Sequence, residues 1–165
     1  MPLHKVPTHE PDMELLNVST AGHLKIVREL FEEYATSLNF EICFQNFAAE
    51  LARLPGYYAP PSGRLLLAFH EGRAAGCVAL RRLEDGVCEM KRLYVRPAFR
   101  GAGIGKALAD AAVRQAREIG YRSMRLDTVG SMSTAQSIYE SMGFKDTKPY
   151  CFNTPEGVRH MELTL

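Results

Sequence analysis

Three glycines alternate with other residues in a short stretch that carries a cation at each end, Arg100-Gly101-Ala102-Gly103-Ile104-Gly105-Lys106. The stretch stands between a β-rich run and a strongly helical run. Glycine has no Cβ, so backbone N–H groups can converge on a ligand there, and the dipole of the following helix favours negative charge. Arg100 and Lys106 add positive charge. The pattern predicts a site for a phosphate or pyrophosphate; the alternative is a tight strand-to-helix turn without a ligand.

Three phosphate-binding patterns can be compared with this stretch. A P-loop, GxxxxGK followed by Ser or Thr, needs a wider spacing than Gly101–Gly105 offers, and Ala107 stands where its hydroxyl should be. A dinucleotide fingerprint, GxGxxG, would need glycine in place of Lys106, although Asp127 ends the next strand where a ribose-binding acid could stand. The third pattern is Arg or Gln, two residues, Gly, one residue, then Gly or Ala. It is complete in Arg100, Gly103 and Gly105.

A second block, Ala135-Gln136-Ser137-Ile138-Tyr139-Glu140-Ser141-Met142-Gly143-Phe144, forms most of a predicted helix and the glycine that ends it. Together with the glycine loop, it resembles the GNAT superfamily of acetyltransferases. Members of that superfamily carry the third pattern in their acetyl-coenzyme A loop and an AxxLYxxxGF element after it. The likeness covers residues 88–144 and implies an N-acetyltransferase that uses acetyl-coenzyme A as co-substrate.

The resemblance also implies how the coenzyme is held. Backbone groups of Leu93, Tyr94 and Val95 are expected to pair with the pantetheine arm as an added strand does. The run from Arg100 to Lys106 is expected to hold the pyrophosphate.

One position departs from the family. An asparagine often stands three residues before the alanine of the second block, and here that residue is Met132. Any coenzyme contact that the asparagine makes is lost or comes from a neighbour such as Ser131 or Ser133. Ser133 and Gln136 are also spaced as a capping box at the start of the helix.

Acetyl transfer to an amine needs a base for the nitrogen, a donor for the oxyanion and an acid near the departing thiolate. In similar enzymes, the tyrosine of the second block points its hydroxyl at the coenzyme sulfur, which implies that Tyr139 is the acid. The alternative is a core aromatic, because Tyr139 shares an apolar helical face with Ala135, Ile138 and Met142.

Glu89 is the candidate base. It lies on the strand before the glycine loop, at an offset similar to that of the glutamate base in several GNAT proteins. Burial between apolar neighbours is expected to raise its pKa towards useful values. The alternative is a structural ion pair with Lys91, Arg92 or Arg81.

The cysteines offer a different route. Cys88 or Cys151 would be the nucleophile of an acetyl-cysteine mechanism, but no histidine adjoins either in sequence, so direct transfer is expected. The sequence has no CxxC and no HxxxH spacing, and no metal is expected.

The acceptor is the least determined part of the reaction. The first two helices and the late loops offer an aromatic set that suggests a small, partly apolar amine or an amino acid. Its members are Phe40, Cys43, Phe44, Phe47, Tyr57, Tyr58, Tyr150 and Phe152. Three alternatives stay open: a protein or peptide N-acetyltransferase, a non-catalytic coenzyme A-binding module and a nucleotide-binding oxidoreductase.

The elements that must position these groups follow from residue periodicity. The predicted strands are Met13–Val18, Arg64–His70, Ala74–Leu83, Val87–Val95, Arg122–Thr128 and Val158–Leu165. The predicted helices begin near Ala21, Glu41, Gly103 and Ser133. This order predicts an α/β fold with a mixed, mostly antiparallel sheet and helices on both faces. The resemblance to the GNAT superfamily implies the same fold.

Composition limits the class further. The 165 residues suit a single domain, 13–165, after a loose tail over residues 1–12. The net charge of +1 does not suggest nucleic acid or a membrane as partner, and no apolar run could span a bilayer. A small-molecule amine is the expected partner and the cytoplasm the expected compartment. The oligomeric state stays open, with a homodimer as one possibility.

Overall fold

The computed structural model describes residues 13–38, 46–129, 132–150 and 156–165. Its strands are β1 Met13–Asn17, β2 Arg64–His70, β3 Arg73–Glu84, β4 Val87–Val95, β5 Ser123–Val129, β6 Lys145–Asp146 and β7 Val158–Thr164. Its helices are α1 Ala21–Leu38, α2 Phe47–Arg53, α3 Ile104–Ile119 and α4 Ser133–Met142.

The strands form one sheet in the order β1-β2-β3-β4-β5-β7-β6. β4 and β5 are parallel and are joined by α3, while the other neighbours are antiparallel. This confirms the predicted mixed, mostly antiparallel sheet. A crossover helix is required between β4 and β5, because parallel strands cannot be joined by a tight turn.

Two apolar cores lie on opposite faces of the sheet. α3 covers one face with a stripe that includes Ile104, Leu108 and Ala112, and Tyr139 of α4 joins the same core. α1 covers the other face with Val27, Leu30 and Phe31. Alternate residues of β4 and β5 therefore point to different helices, which gives the two sides of the site different chemistry.

Most predicted elements are confirmed where the structure describes them. The predicted tail, residues 1–12, and the first part of the helix predicted from Glu41 lie outside the described residues. The capping box is wrong: Ser133 is already helical, and Met132 at the N-cap makes no side-chain capping bond. Gln136 instead donates to the carbonyl oxygen of Val129 at 2.8 Å. β6 was not predicted, because two residues are too few to show an alternating pattern.

No helix among the described residues is long and apolar enough to cross a membrane.

Candidate active site

β4 and β5 lie side by side at one end only. Their register covers the first three residues of each strand and ends at the pair Glu89 and Arg125. Both strands continue beyond this pair, and no further pairing joins them within the described ranges. The strands therefore open into a cleft. Its walls include Met90, Leu93, Thr128, Met132 and Tyr139.

A β-bulge bends β4 where the cleft opens. Between the pairs Cys77–Tyr94 and Ala79–Lys91, β4 has one residue more than β3. Arg92 lies in this stretch with φ of 59°, which is uncommon for a residue other than glycine. Bulges redirect backbone and side-chain groups, and they often occur next to active sites.

The bulge is held in place by a buried ion pair. Nη2 of Arg92 donates to Oε2 of Glu50 on α2 at 3.0 Å, and the Tyr58 hydroxyl donates to the other carboxylate oxygen. The Arg92 guanidinium also lies 5.5 Å from the ring centroid of Phe47. α2 is thereby linked directly to the strand that lines the cleft.

The predicted pantetheine-binding residues lie at the bulge, in the case of Leu93, and directly after it. Tyr94 and Val95 pair with Cys77 and Gly76 of β3 along one edge of β4. The other edge of β4 faces the cleft. Backbone groups on that edge are available to an added extended chain.

The glycine loop follows β4 after a short 3₁₀ turn, Pro97–Phe99. Gly101 and Gly103 have φ of 87° and 79°, values that residues with a side chain rarely adopt. Gly103 caps α3 without a side-chain hydrogen bond, and the first turn of α3 contains no acidic residue. The N–H groups of residues 104–106 lack helical partners, as at every helix N-terminus. The loop can therefore offer an anion several convergent donors.

Both predicted cations stand at the loop and are exposed. Arg100 donates to the carbonyl oxygen of Val95 at 3.0 Å, and its guanidinium lies 6.0 Å from the ring centroid of Tyr94. Lys106 pairs with Asp110 one turn along α3, with Nζ and Oδ2 2.8 Å apart. Exposed pairs of this kind are weak, so Lys106 can change partner readily.

Tyr139 is 4% exposed and lines the cleft from α4. Its ring packs on Phe144, with centroids 5.7 Å apart, and it belongs to the core beneath α3. Burial raises the pKa of its hydroxyl, and Tyr34 and Asp127 nearby add to the rise. Tyr139 is therefore a core aromatic whose side chain also borders the cleft. Its proton stays on the oxygen throughout the neutral range.

Glu89 is fully buried, but its charge is compensated. Nε of Arg81 donates to Oε1 at 2.8 Å, and Nζ of Lys91 lies 3.7 Å from the same oxygen. The Tyr150 hydroxyl donates to Oε2 at 2.7 Å. Burial alone raises the pKa of Glu89, but Lys91, Arg81 and the Tyr150 hydrogen bond outweigh it and lower the pKa below its usual value. The expectation of a raised pKa is wrong, because the ion pairs with Arg81 and Lys91, which the sequence offered as the alternative, act together with the Tyr150 hydrogen bond to stabilise the charged form.

Two buried polar groups escaped the sequence analysis. The Thr128 hydroxyl and Nε2 of His160 are buried and have no hydrogen-bond partner in the part of the chain that the structure describes. Both residues are 4% exposed. Thr128 lines the cleft, while His160 packs against Tyr150 with ring centroids 5.1 Å apart. No motif or spacing marks either residue, because their importance depends on which groups the fold leaves unpaired.

Met132, which replaces the family asparagine, borders the cleft. The Tyr34 hydroxyl of α1 lies 3.9 Å from its sulfur, and the Tyr34 ring lies 5.8 Å from that of Tyr94. Ser133 is exposed, and Ser131 lies outside the described residues.

The cysteine route receives no support from Cys88. Its side chain is fully buried, and burial raises the pKa of the thiol to about 12. A thiol of that pKa is almost wholly protonated at neutral pH, and only the thiolate is a nucleophile. Cys151 lies outside the described residues, as do Phe40, Cys43, Phe44 and Phe152 of the acceptor set. No cluster of His, Cys, Asp or Glu side chains within the described ranges could hold a metal ion.

Comparison with known proteins agrees with this geometry. The model of the acetyltransferase (GNAT) family matches residues 24–144. An uncharacterized N-acetyltransferase of Schizosaccharomyces pombe is 41% identical over 138 residues, covering 82% of this chain and 85% of that protein. The chain therefore belongs to the GNAT family and is an acetyl-coenzyme A-dependent acyltransferase.

Two further relatives bear on the fold and the acceptor. The structure of PaiA N-acetyltransferase from Thermoplasma acidophilum, solved in complex with coenzyme A, superposes with a TM-score of 0.71. It is 20% identical and covers 93% of this chain and 99% of that one, so it supports the fold alone. N-acetylaspartate synthetase of Xenopus tropicalis is 38% identical over 108 residues, which are 65% of this chain and 40% of that protein.

Proposed function

We propose that the protein transfers the acetyl group of acetyl-coenzyme A directly to the primary amine of a small molecule or amino acid. The observation that carries this proposal is that β4 leads from the open cleft, through one short 3₁₀ turn at Pro97–Phe99, into the glycine loop. A single strand thus links an edge suited to an extended pantetheine arm with an anion site suited to its pyrophosphate. The cytoplasm is the compartment that we propose for this reaction.

Leu93, Tyr94 and Val95 would bind the pantetheine amides through their backbone groups. Gly101 to Lys106 would hold the pyrophosphate through N–H groups, with Arg100 as the nearby cation. Support comes from the two positive φ angles of the loop and from the uncapped start of α3. Glycine lets the backbone N–H groups approach a ligand closely, and a helix start without an acidic residue or a side-chain cap suits an anion.

In the proposed reaction, the nitrogen lone pair attacks the thioester carbonyl while the cleft stabilises the charge. N–H groups at the bulge of β4 would donate to the developing oxyanion. The electron pair of the C–S bond then passes to sulfur, where the Tyr139 hydroxyl would act. A tyrosine with a raised pKa is a poor source of a whole proton for a thiolate of pKa near ~8.5. Tyr139 would therefore stabilise the thiolate mainly as a hydrogen-bond donor.

Glu89 is the proposed base, acting through Tyr150. Arg81 and Lys91 occupy one carboxylate oxygen, and the Tyr150 hydroxyl occupies the other. A proton would reach Glu89 as the Tyr150 oxygen accepts it from the acceptor and passes its own proton to Oε2. A lowered pKa makes Glu89 a weak base. It becomes sufficient once the C–N bond forms, because the nitrogen is then far more acidic than a free ammonium.

The acceptor is proposed to be small because its side of the cleft is crowded. Tyr58 is buried against Glu50, and Phe47 packs on the guanidinium of Arg92, so neither presents an open groove. The resemblance to N-acetylaspartate synthetase favours an amino acid over a peptide.

A competition between acceptors tests this proposal. The enzyme and acetyl-coenzyme A would be incubated with a mixture of amino acids, polyamines and lysine-containing peptides, and the acetylated products identified by mass spectrometry. We expect an acetylated amino acid or small amine. Acetylated peptides alone would replace the proposed acceptor, and acetylated Cys151 on the enzyme would replace direct attack.

A further inference from the structure

Thr128, near the end of β5, carries a buried hydroxyl without a hydrogen-bond partner in the described part of the chain. Buried hydroxyls nearly always have a partner, because an unpaired one loses its hydration without compensation. An exception in the wall of a binding cleft points to a group that arrives with the ligand.

The Thr128 side chain faces α4. It lies on the same face of β5 as Met124 and Leu126, which both belong to the core beneath α3 and α4. Its register partner on β7 is Arg159, whose Nη1 donates to Glu140 of α4 at 2.6 Å. Residues paired across antiparallel strands point to the same face. Thr128 therefore borders the cleft on the same side as Tyr139.

We propose that the Thr128 hydroxyl is a second hydrogen-bond donor to the coenzyme sulfur, beside Tyr139. This rests on the proposed acetyl transfer. When the C–N bond forms, the C–S bond breaks and its electron pair stays on sulfur, while the nitrogen proton leaves through Tyr150. Thr128 keeps its own proton and only donates a hydrogen bond. The charge develops beside the buried Thr128 and Tyr139 side chains, where such a bond is stronger than in water.

Two substitutions separate the hydroxyl from the shape of the side chain. Thr128→Val replaces the hydroxyl by a methyl group, and Thr128→Ser keeps the hydroxyl. We expect turnover to fall about 10- to 100-fold in the valine variant, as for the loss of a hydrogen bond to a charged group. The serine variant should stay within about threefold of the parent. Thr164→Val, at the exposed end of β7, is the matched control and should not change turnover.

The valine variant should fold at least as well as the parent, because it removes an unpaired buried polar group. Its melting temperature without ligand should be unchanged or higher. Thr128→Ala provides a second variant if the valine does not fit, and it should lose turnover to a similar extent.

Binding of coenzyme A and of desulfo-coenzyme A, which lacks the sulfur, tests the partner of the hydroxyl. At pH ~9, above the ordinary pKa of a thiol, Thr128→Val should bind coenzyme A more weakly and desulfo-coenzyme A as well as the parent does. Equal weakening of both would place the hydroxyl on the pantetheine arm and overturn the proposal, and so would unchanged turnover. An inactive parent that does not bind coenzyme A would instead refute the proposed function itself.

Discussion

The groups that we propose for binding the coenzyme and those that we propose for deprotonating the acceptor differ in kind. The region that we propose for the coenzyme consists of backbone: a bulge in β4, two glycines at positive φ and the N-terminus of α3. The proposed base, Glu89, instead belongs to a row of charged side chains on several strands. Pantetheine amides and a pyrophosphate are the same in every reaction of this class, and backbone groups suffice for them. An acceptor differs between enzymes, and side chains can be exchanged without altering the fold.

The charged residues around Glu89 follow the strand register. Arg81, Glu89, Arg125 and Glu162 stand in register on β3, β4, β5 and β7, with alternating sign. Nε of Arg125 donates to Glu162 at 2.6 Å, as Nε of Arg81 does to Glu89 at 2.8 Å. Opposite charges facing each other stabilise neighbouring strands. Glu89 is thus part of the sheet's stability as well as a candidate for catalysis.

The largest expected effect is on the coenzyme side. Gly103→Val should weaken coenzyme binding by about 100-fold or more, because valine strains a position at positive φ and moves the N–H donors. Isothermal calorimetry with coenzyme A measures the effect. Gly72→Val is the matched control: Gly72 also has positive φ and open space around it, but lies in the turn between β2 and β3. A normal affinity in Gly103→Val would mean that the loop does not bind the coenzyme.

Tyr139→Phe should lower kcat by about 100-fold or more while changing coenzyme affinity little. The ring and its packing on Phe144 remain, and only the hydroxyl that we propose as donor to the thiolate is lost. Tyr121→Phe is the control, since its hydroxyl donates to the carbonyl oxygen of Ser62. Steady-state kinetics, with the chemical step shown to be rate-limiting, measures the change in kcat. A kcat within about threefold of the parent would leave Tyr139 as a core aromatic only.

Glu89→Gln tests whether Glu89 is a base or only a structural charge. If Glu89 is the base, the substitution should lower kcat by about 100-fold. It should also lower the free energy of unfolding by about 1–3 kcal/mol, because Arg81 and Lys91 lose their charged partner. Glu162→Gln alters the same charged row at β7 and should cost stability without lowering kcat. Equal kcat losses in both variants would make Glu89 a structural charge.

The stability difference between the parent and Glu89→Gln should depend on pH. The pKa of Glu89 is lowered in the folded protein. Its contribution is therefore complete above the pKa of the unfolded chain, near ~4.3, and is lost as pH falls through the folded value. Denaturant unfolding at pH 7 and at successively lower pH should show the difference shrinking below pH ~4. A difference that does not change with pH would contradict the ion-pair account.

The smallest expected effect is that of Cys88→Ala. The thiol is buried and protonated, so kcat should stay unchanged and kinetics sequential, with a stability loss of about 1 kcal/mol for the small cavity. Parallel double-reciprocal lines, or a loss of activity in a variant that remains folded, would instead support the acetyl-cysteine mechanism.

The features that could be predicted from sequence are those formed by consecutive residues, and the others depend on contacts between distant residues. The glycine loop and the Tyr139 helix were predicted because their signals lie within a few consecutive residues. The role of Glu89 could not be settled, because the sequence names Arg81 and Lys91 as possible partners but does not show that both contact the carboxylate together with Tyr150. The bulge at Arg92 depends on Glu50, which is 42 residues away in sequence. Thr128 gave no signal at all, since an unpaired hydroxyl is recognised only once its surroundings are known.

The central claim is that the cleft between β4 and β5 is an acetyl-transfer site, and thiol release tests it most directly. The parent and Gly103→Val would be given acetyl-coenzyme A with a panel of amino acids and small amines, and free coenzyme A thiol would be followed with a thiol reagent. We predict amine-dependent thiol release by the parent with at least one member of the panel, and none above background by the variant. Equal release by both proteins, or no amine-dependent release by a parent that binds acetyl-coenzyme A, would contradict the account.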